Sequence, residues 1–308
     1  MIPDLSGSLG GLRVKNPVLS ASGTFGYGLE FLPFYDISRL GAIVVKGLSL
    51  APTSGNPPGR IVETASGMLN AIGLQNIGVE RFIGDVVPRL EDVGATFVAN
   101  IYGKTVEEYE ALARRLSEVP SLGAIEVNAS CPNVKEGGMA FGATPEGIAE
   151  LTGRVRGCTG KPLWVKLSPN VTDIAVIATA AQEGGADAVS LINTIVGMAV
   201  DHRSRRPALS NVTGGLSGPA IKPVALRMTW EAAKAVSIPV IGIGGIQTAA
   251  DALEFLLVGA SAVQVGTANF RNPRACVDIL EGMEAFFREE RIAALADYRG
   301  GLTREKSP

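Results

Sequence analysis

Short apolar runs recur along the chain, each closed by glycine or a polar residue: 17–20, 42–45, 96–100, 124–128, 163–167, 188–192, 239–243 and 261–265. They are apolar almost throughout rather than alternating, the pattern of strands covered on both faces. Between most of them lie stretches of helical periodicity, at 79–92, 105–119, 144–156, 171–183, 219–236 and 248–257. Thr105 and Thr248 stand where helix N-caps belong, and Glu108 three residues after Thr105 suggests a capping box. Eight strand–helix repeats predict a parallel (β/α)8 barrel, an α/β fold that fills 1–308 as one domain. A doubly wound open sheet is the architecture that the same alternation leaves as the alternative.

Three connections are too long to be simple turns: 47–78 after the second strand, where a small hairpin is expected, 129–143 after the fourth and 193–218 after the sixth. Long loops on a compact scaffold are commonly functional. In a barrel all three rise from the C-terminal rim and meet over one site.

The most informative of them opens with Asn128-Ala129-Ser130-Cys131-Pro132-Asn133 and continues into a glycine-rich segment, residues 135–142, suited to closing over a ligand. Amides, a hydroxyl and a thiol at the end of a buried strand place reactive groups on the rim. Cys131 reads as a nucleophile or proton carrier, or alternatively as a small buried hydrophobe. Asn128 and Asn133 offer paired donors and acceptors to a planar polar ligand. The other strand ends contribute Ser20-Ala21-Ser22-Gly23, Lys46-Gly47, Asn100, Lys166, Asn193-Thr194, Gly244-Gly245 and Gly266-Thr267. Two lysines inside an apolar barrel are costly unless they meet anions or acceptors. The glycines after the seventh and eighth strands occupy the place where barrels bind phosphate through backbone N–H groups. A phosphate clamp, two lysines and a ring of asparagines describe a site for a phosphorylated planar cofactor with a second planar molecule beside it, and flavin mononucleotide (FMN) satisfies that description. A Schiff-base aldolase with Lys166 as nucleophile is a competing use of the same residues, and a noncatalytic flavoprotein another.

Composition narrows the partners. Hydrophobic residues make up 46% of 308 and charged residues 19%, with a net charge of −2. No basic footprint for nucleic acid or an anionic membrane is present. The longest apolar candidate, 249–265, carries Asp251 and Glu254 and falls short of the ~18 apolar residues of a membrane span, and no signal peptide is expected at the N-terminus. Cys131, Cys158 and Cys276 are too far apart for a disulfide framework or a zinc site, which fits a reducing cytoplasm. The single histidine, His202, sits among Arg203, Arg205 and Arg206 and reads as solvated rather than catalytic.

Several motifs in order carry a resemblance over nearly the whole length. They are Lys46-Gly47, Asn70-Ala71-Ile72-Gly73-Leu74-Gln75-Asn76, Ser130-Cys131-Pro132-Asn133, Asn193-Thr194, Gly214-Gly215-Leu216-Ser217-Gly218 and the two glycine loops. The chain thereby resembles class 1 dihydroorotate dehydrogenases, FMN-dependent enzymes of pyrimidine biosynthesis. The resemblance implies that Cys131 takes a proton from C5 of dihydroorotate while a hydride passes from C6 to N5 of FMN. It implies orotate contacts at Lys46, Asn70, Ala71, Ile72, Gly73, Leu74, Asn128, Asn133, Asn193 and Thr194. It implies flavin contacts at Ser22, Lys46, Gly47, Asn100, Asn128, Lys166, Ile192, Gly218, Gly244, Gly245, Gly266 and Thr267. Ala129 departs from the pattern, standing where a larger aliphatic residue is expected.

The loop 135–142 looks like that of the NAD-linked class 1B rather than the fumarate-using class 1A, which is the alternative. Class 1B implies an electron-transfer subunit carrying FAD and a [2Fe–2S] cluster, in a heterotetramer of two catalytic and two electron-transfer chains. This chain has neither cysteines spaced for a cluster nor a Gly-x-Gly-x-x-Gly after a strand.

Overall fold

The computed structural model describes residues 2–129, 135–136 and 139–303. Eight parallel strands close into a barrel: β1 Val18–Ser20, β2 Ala42–Val44, β3 Phe97–Ile101, β4 Leu122–Asn128, β5 Leu163–Lys166, β6 Ala188–Leu191, β7 Val240–Ile243 and β8 Ala262–Val265. Each pairs with the next in chain order, and β8 closes on β1 through Val263 beside Val18 and Val265 beside Ser20. The open-sheet alternative is thereby excluded, and all eight strands fall on the predicted apolar runs to within one or two residues.

The apolar runs divide by alternation into two cores. One face of each strand packs outward against the helices, as with Ile43, Phe97, Ile125, Val165 and Val263. The other face fills the barrel with Ala42, Val44, Val98, Ala124, Trp164, Ala188, Ile241 and Ala262. A hairpin of Gly7–Leu9 and Leu12–Val14 plugs the N-terminal mouth, where Leu9 and Val14 join this inner core. The indole of Trp164 donates to the carbonyl of Leu9 at 3.1 Å, so the largest side chain in the barrel leaves no buried N–H unpaired.

The helices follow their capping chemistry. Thr248 accepts from the Asp251 N–H at 3.2 Å while the Asp251 carboxylate takes the Thr248 N–H at 2.9 Å, a complete capping box. At Thr105 only half of the expected box forms. Its hydroxyl accepts from the Glu108 N–H, but the Glu108 carboxylate reaches back one residue further to the N–H of Lys104 at 2.6 Å. The helix expected at 79–92 widens into a π-turn over Phe82–Val86 just ahead of Pro88, whose ring offers no N–H to the ladder. The stretch from 171 begins its helix at Ile174, because Asp173 accepts from both Ala175 and Val176 and sets the first turn there. A long C-terminal helix, Ala275–Glu289, packs under β1 and was not anticipated.

Two of the three long connections meet above the C-terminal rim. The hairpin in 47–78 (Ile61–Thr64 and Gly67–Asn70) and two strands from 193–218 (Ile195–Met198 and Thr213–Ser217) form one four-stranded antiparallel sheet. This sheet roofs the barrel. Within the third connection Lys135–Glu136 pairs with Met139–Ala140.

Candidate active site

Between the barrel rim and the roof lies a cavity of about 630 Å³, within the usual size of ligand pockets. Its floor is made by the last inward residues of the strands. Lys46, Asn100, Asn128, Lys166, Ile192 and Gly266 all border it. So do Ser22 and Gly47, the segment Asn70, Ala71, Ile72, Gly73 and Leu74, the pair Asn193 and Thr194, and the glycine loops with Gly218, Gly244, Gly245 and Thr267. Every described residue expected from the resemblance to contact orotate or flavin therefore lies on one cavity. Cys131 and Asn133 lie outside the described residues; Ala129, just before them, and Gly142 and Ala143, just after, line the same cavity. His202 is exposed on the turn between Val200–Asp201 and Arg206–Pro207, away from it.

The turn that presents 70–74 is held by side chains from outside it. Leu74 adopts a φ of 57°, a conformation a branched residue takes only under constraint. The constraint is a polar cluster: Leu74 O accepts from Tyr102 Oη at 2.9 Å and from Asn76 Nδ2 at 3.0 Å. Asn76 Nδ2 also reaches Ser49 Oγ at 2.8 Å, while its Oδ1 accepts from Gly78 N–H at 2.8 Å. From the other side Asn56 binds Ala71 O at 2.8 Å and Ile72 O at 2.9 Å. Gly73 has no room for a side chain, since a Cβ would stand 2.6 Å from the backbone N of Asn56.

Asn193 and Thr194 are braced in the same way. Asn193 Oδ1 accepts from Thr194 N–H at 2.9 Å. Asn170, a cavity residue that the sequence reading passed over, donates to Thr194 O at 3.1 Å and accepts from Val196 N–H at 3.0 Å. Its signal was present in Ser168-Pro169-Asn170, a polar turn directly after a strand. Asn128 is set from behind, its carbonyl accepting from the Tyr109 hydroxyl at 2.9 Å.

On the opposite wall Gly244 and Gly245 turn the chain with φ of 132° and 73°. A Cβ on Gly245 would come within 2.9 Å of Gly218 O and 2.8 Å of Lys222 Cβ, so the loop after β7 approaches the end of the 193–218 connection too closely for any side chain at 245. The Thr267 hydroxyl donates to Ser217 Oγ at 2.8 Å and ties the loop after β8 to the roof. Lys222 beside them is already engaged by Asp251 at 2.6 Å and Glu254 at 2.8 Å.

The electrostatics single out the two lysines. Burial holds the Lys46 ammonium below the ordinary lysine range, and the positive charges of Arg60 and Lys166 push it further down. Burial does the same to Lys166, opposed by the negative charge of Glu126. Two buried cations in one cavity disfavour each other and favour an anionic or carbonyl-rich ligand. The barrel around them is also less apolar than expected. Fully buried Glu126 accepts from Asn100 Nδ2 at 2.8 Å, Ser190 Oγ at 2.8 Å and Gln264 Nε2 at 2.7 Å. Glu126, Ser190 and Gln264 sit in the interiors of apolar runs, where strand ends alone give no sign of them. Among the described residues no cluster of His, Cys, Asp and Glu could hold a metal ion, and no helix is long and apolar enough to cross a membrane.

The family model for dihydroorotate dehydrogenase matches residues 4–287. Similar chains named dihydroorotate dehydrogenase B (NAD(+)), catalytic subunit, include one from Pelobacter propionicus, 57% identical over 98% of this chain and 99% of its own length. Another, from Geotalea uraniireducens, is 57% identical over 97% of this chain and 98% of its own, and one from Geobacter sulfurreducens is 55% identical over the same shares. With a roofed parallel barrel and a cavity bordered by the motif residues, the chain belongs to the dihydroorotate dehydrogenase family.

Proposed function

We propose that this chain, as one barrel domain, oxidises (S)-dihydroorotate to orotate in pyrimidine biosynthesis, as the catalytic subunit of an NAD-linked dihydroorotate dehydrogenase. One observation carries the reading: in a member of this family, Lys46, Lys166, the 70–74 turn, Asn128 and Asn193–Thr194 all border a single cavity. Orotate is a planar carboxylate with imide edges, and cationic and amide side chains are its natural partners.

The residues present also fit FMN. Gly23 borders open space, with nothing within 4 Å of an added Cβ, and at Gly266 the nearest atom would be Ala21 Cβ at 3.6 Å. Backbone there stands open to a bulky ligand, and the touching loops of Gly218 and Gly245 suit a phosphate. Bound there, FMN supplies the hydride acceptor. Ser22, Gly47, Asn100, Ile192, Gly244, Gly245, Gly266 and Thr267 hold it, and Lys166 offers a positive charge to its ring. Lys46, Asn70, Asn128, Asn133, Asn193 and Thr194 hold the substrate. Cys131 removes the C5 proton, starting from the thiol pKa of ~8.5 that lies within reach of neutrality. The roof excludes water from the reacting carbons. Electrons leave through a separate subunit carrying FAD and a [2Fe–2S] cluster, two of each chain assembling in the cytoplasm.

The test is anaerobic. Dihydroorotate added to the FMN-loaded chain bleaches the flavin absorbance, and NAD added without a partner subunit does not restore it. Flavin that stays oxidised in active-site-loaded protein overturns the substrate assignment; recovery with NAD alone overturns the need for a partner.

A further inference from the structure

Glu126 has no place among the residues assigned to ligand contact, yet it is a fully buried carboxylate in the barrel, one layer below the cavity floor. It lies opposite Trp164 of β5 in register, and Lys166 follows two residues on, between Asn128 of β4 and Ser190 of β6. Three other strands converge on the carboxylate. Oε1 takes the Asn100 amide of β3, and Oε2 takes both the Ser190 hydroxyl of β6 and the Gln264 amide of β8. Three donors on two oxygens hold it as an acceptor in one orientation.

Two cavity residues depend on that orientation. Asn100 donates its amide to Glu126, which leaves its Oδ1 aimed at the backbone of Gly47, where an added Cβ would stand 2.8 Å away. That Oδ1 is buried without a partner among the described residues. Lys166 feels the opposing charge of Glu126, while its register neighbours Asn128 and Ser190 are uncharged and Lys46 adds a like charge.

We propose that Glu126 is a positioning residue, a carboxylate fixed inside the barrel by donors from three other strands that sets the electrostatics beneath Lys166 and the orientation of Asn100 on the cavity floor. The inference rests on the proposed reading only for what those two residues then bind. A neutral glutamine at 126 is accommodated by rotation of the Gln264 amide, whose Oε1 is unpartnered among the described residues and accepts from the new NH2 group.

The decisive measurement follows the Lys166 Nζ resonance by NMR in the full-length, 15N-lysine-labelled chain without added ligand, with the signal assigned by its loss in Lys166→Arg. In Glu126→Gln the Lys166 titration moves at least one pH unit lower than in the parent, and in Glu126→Asp, which keeps the charge, it returns to within half a unit. An unmoved titration in Glu126→Gln, or an equal shift in Glu126→Asp, overturns the proposal. Should Glu126→Gln fail to fold, adding Lys166→Met restores folding if the two charges oppose each other across the floor; failure to restore it overturns the proposal. Orotate and FMN affinities against pH are measured on the same proteins. A shifted lysine with unshifted affinities leaves the role of Glu126 intact and sinks the ligand assignment instead.

Discussion

The two halves of the barrel interior are built by the same strands and differ in almost everything else. Toward the N-terminal mouth the inward positions are Ala42, Val44, Val98, Ala124, Trp164 and Ala188, sealed by Leu9 and Val14 of the hairpin plug. One turn of the pleat further along the same strands they become Lys46, Asn100, Glu126, Asn128, Lys166 and Ser190. The lower half stabilises the fold by burying apolar area, and the Trp164 indole within it is paired. The upper half carries two lysines whose charged forms burial disfavours. Apolar burial and the polar residues that border the cavity are thus separated by about two residues along each strand, and substitutions in one half should leave the property of the other unchanged.

The largest effect on activity alone is expected at Cys131, the proposed base. Cys131→Ala should lower kcat by roughly 10²–10⁴, the usual worth of a positioned general base, while thermal stability and the bound-flavin spectrum stay as in the parent. A residual rate close to the parent's would remove Cys131 from the mechanism. In the lower half, Trp164→Ala should cost about 3–5 kcal/mol of stability, as buried aromatic truncations do, measured by denaturant unfolding. Orotate affinity in the folded fraction should not move; a large loss of affinity would show that the halves are coupled.

Lys166→Met should do the reverse of Trp164→Ala. Removing a buried ammonium should raise the melting temperature of the ligand-free chain while orotate or FMN binding weakens about tenfold or more, in line with the ~1.5–3 kcal/mol of a hydrogen bond to a charged group. A variant that binds as the parent does would place the ligand elsewhere.

The smallest effect is a pH dependence. Lys46 and Lys166 have folded pKa values below the ordinary 10.5, so between the folded and unfolded values the unfolded chain binds more protons. Stability of the ligand-free chain should therefore rise with pH in the window that opens below 10.5. Burial pushes the Cys276 thiol up to about 12, so above the ordinary thiol value of 9.0 the unfolded chain ionises first and this cysteine opposes the rise. The gain should appear in thermal melts as pH rises from the lowered lysine values toward 10.5, free of the Cys276 opposition below 9.0, and be absent in Lys46→Met/Lys166→Met. A flat profile in the parent would mean that the lysines titrate normally.

Much of this was legible in the chain because it is written locally. Eight apolar runs bounded by glycine and polar residues specify strands, and the residue that ends each run sits on the rim by necessity of a parallel barrel. That is why Lys46, Asn100, Asn128, Lys166 and Asn193 could be placed on one face from their position in the runs. The glycine loops were legible for the same reason, since φ values such as the 73° of Gly245 admit little else.

Other features were not legible because they depend on residues far apart in the chain. Glu126 looks like an interruption of an apolar run until Ser190 and Gln264, 64 and 138 residues later, arrive beside it. Asn76 and Tyr102 have no local signature as supports of the Leu74 turn, and the pairing of 61–70 with 195–217 joins two insertions that share no sequence pattern. The plug likewise needed Leu9 to meet Trp164 across 155 residues. The sequence by itself determined the strands, their order and which residues end them, since periodicity and backbone sterics act between neighbours. Only the tertiary structure decided which buried polar groups meet, because closing the barrel brings distant donors and acceptors within hydrogen-bonding distance, and an unpaired group buried there costs too much to persist.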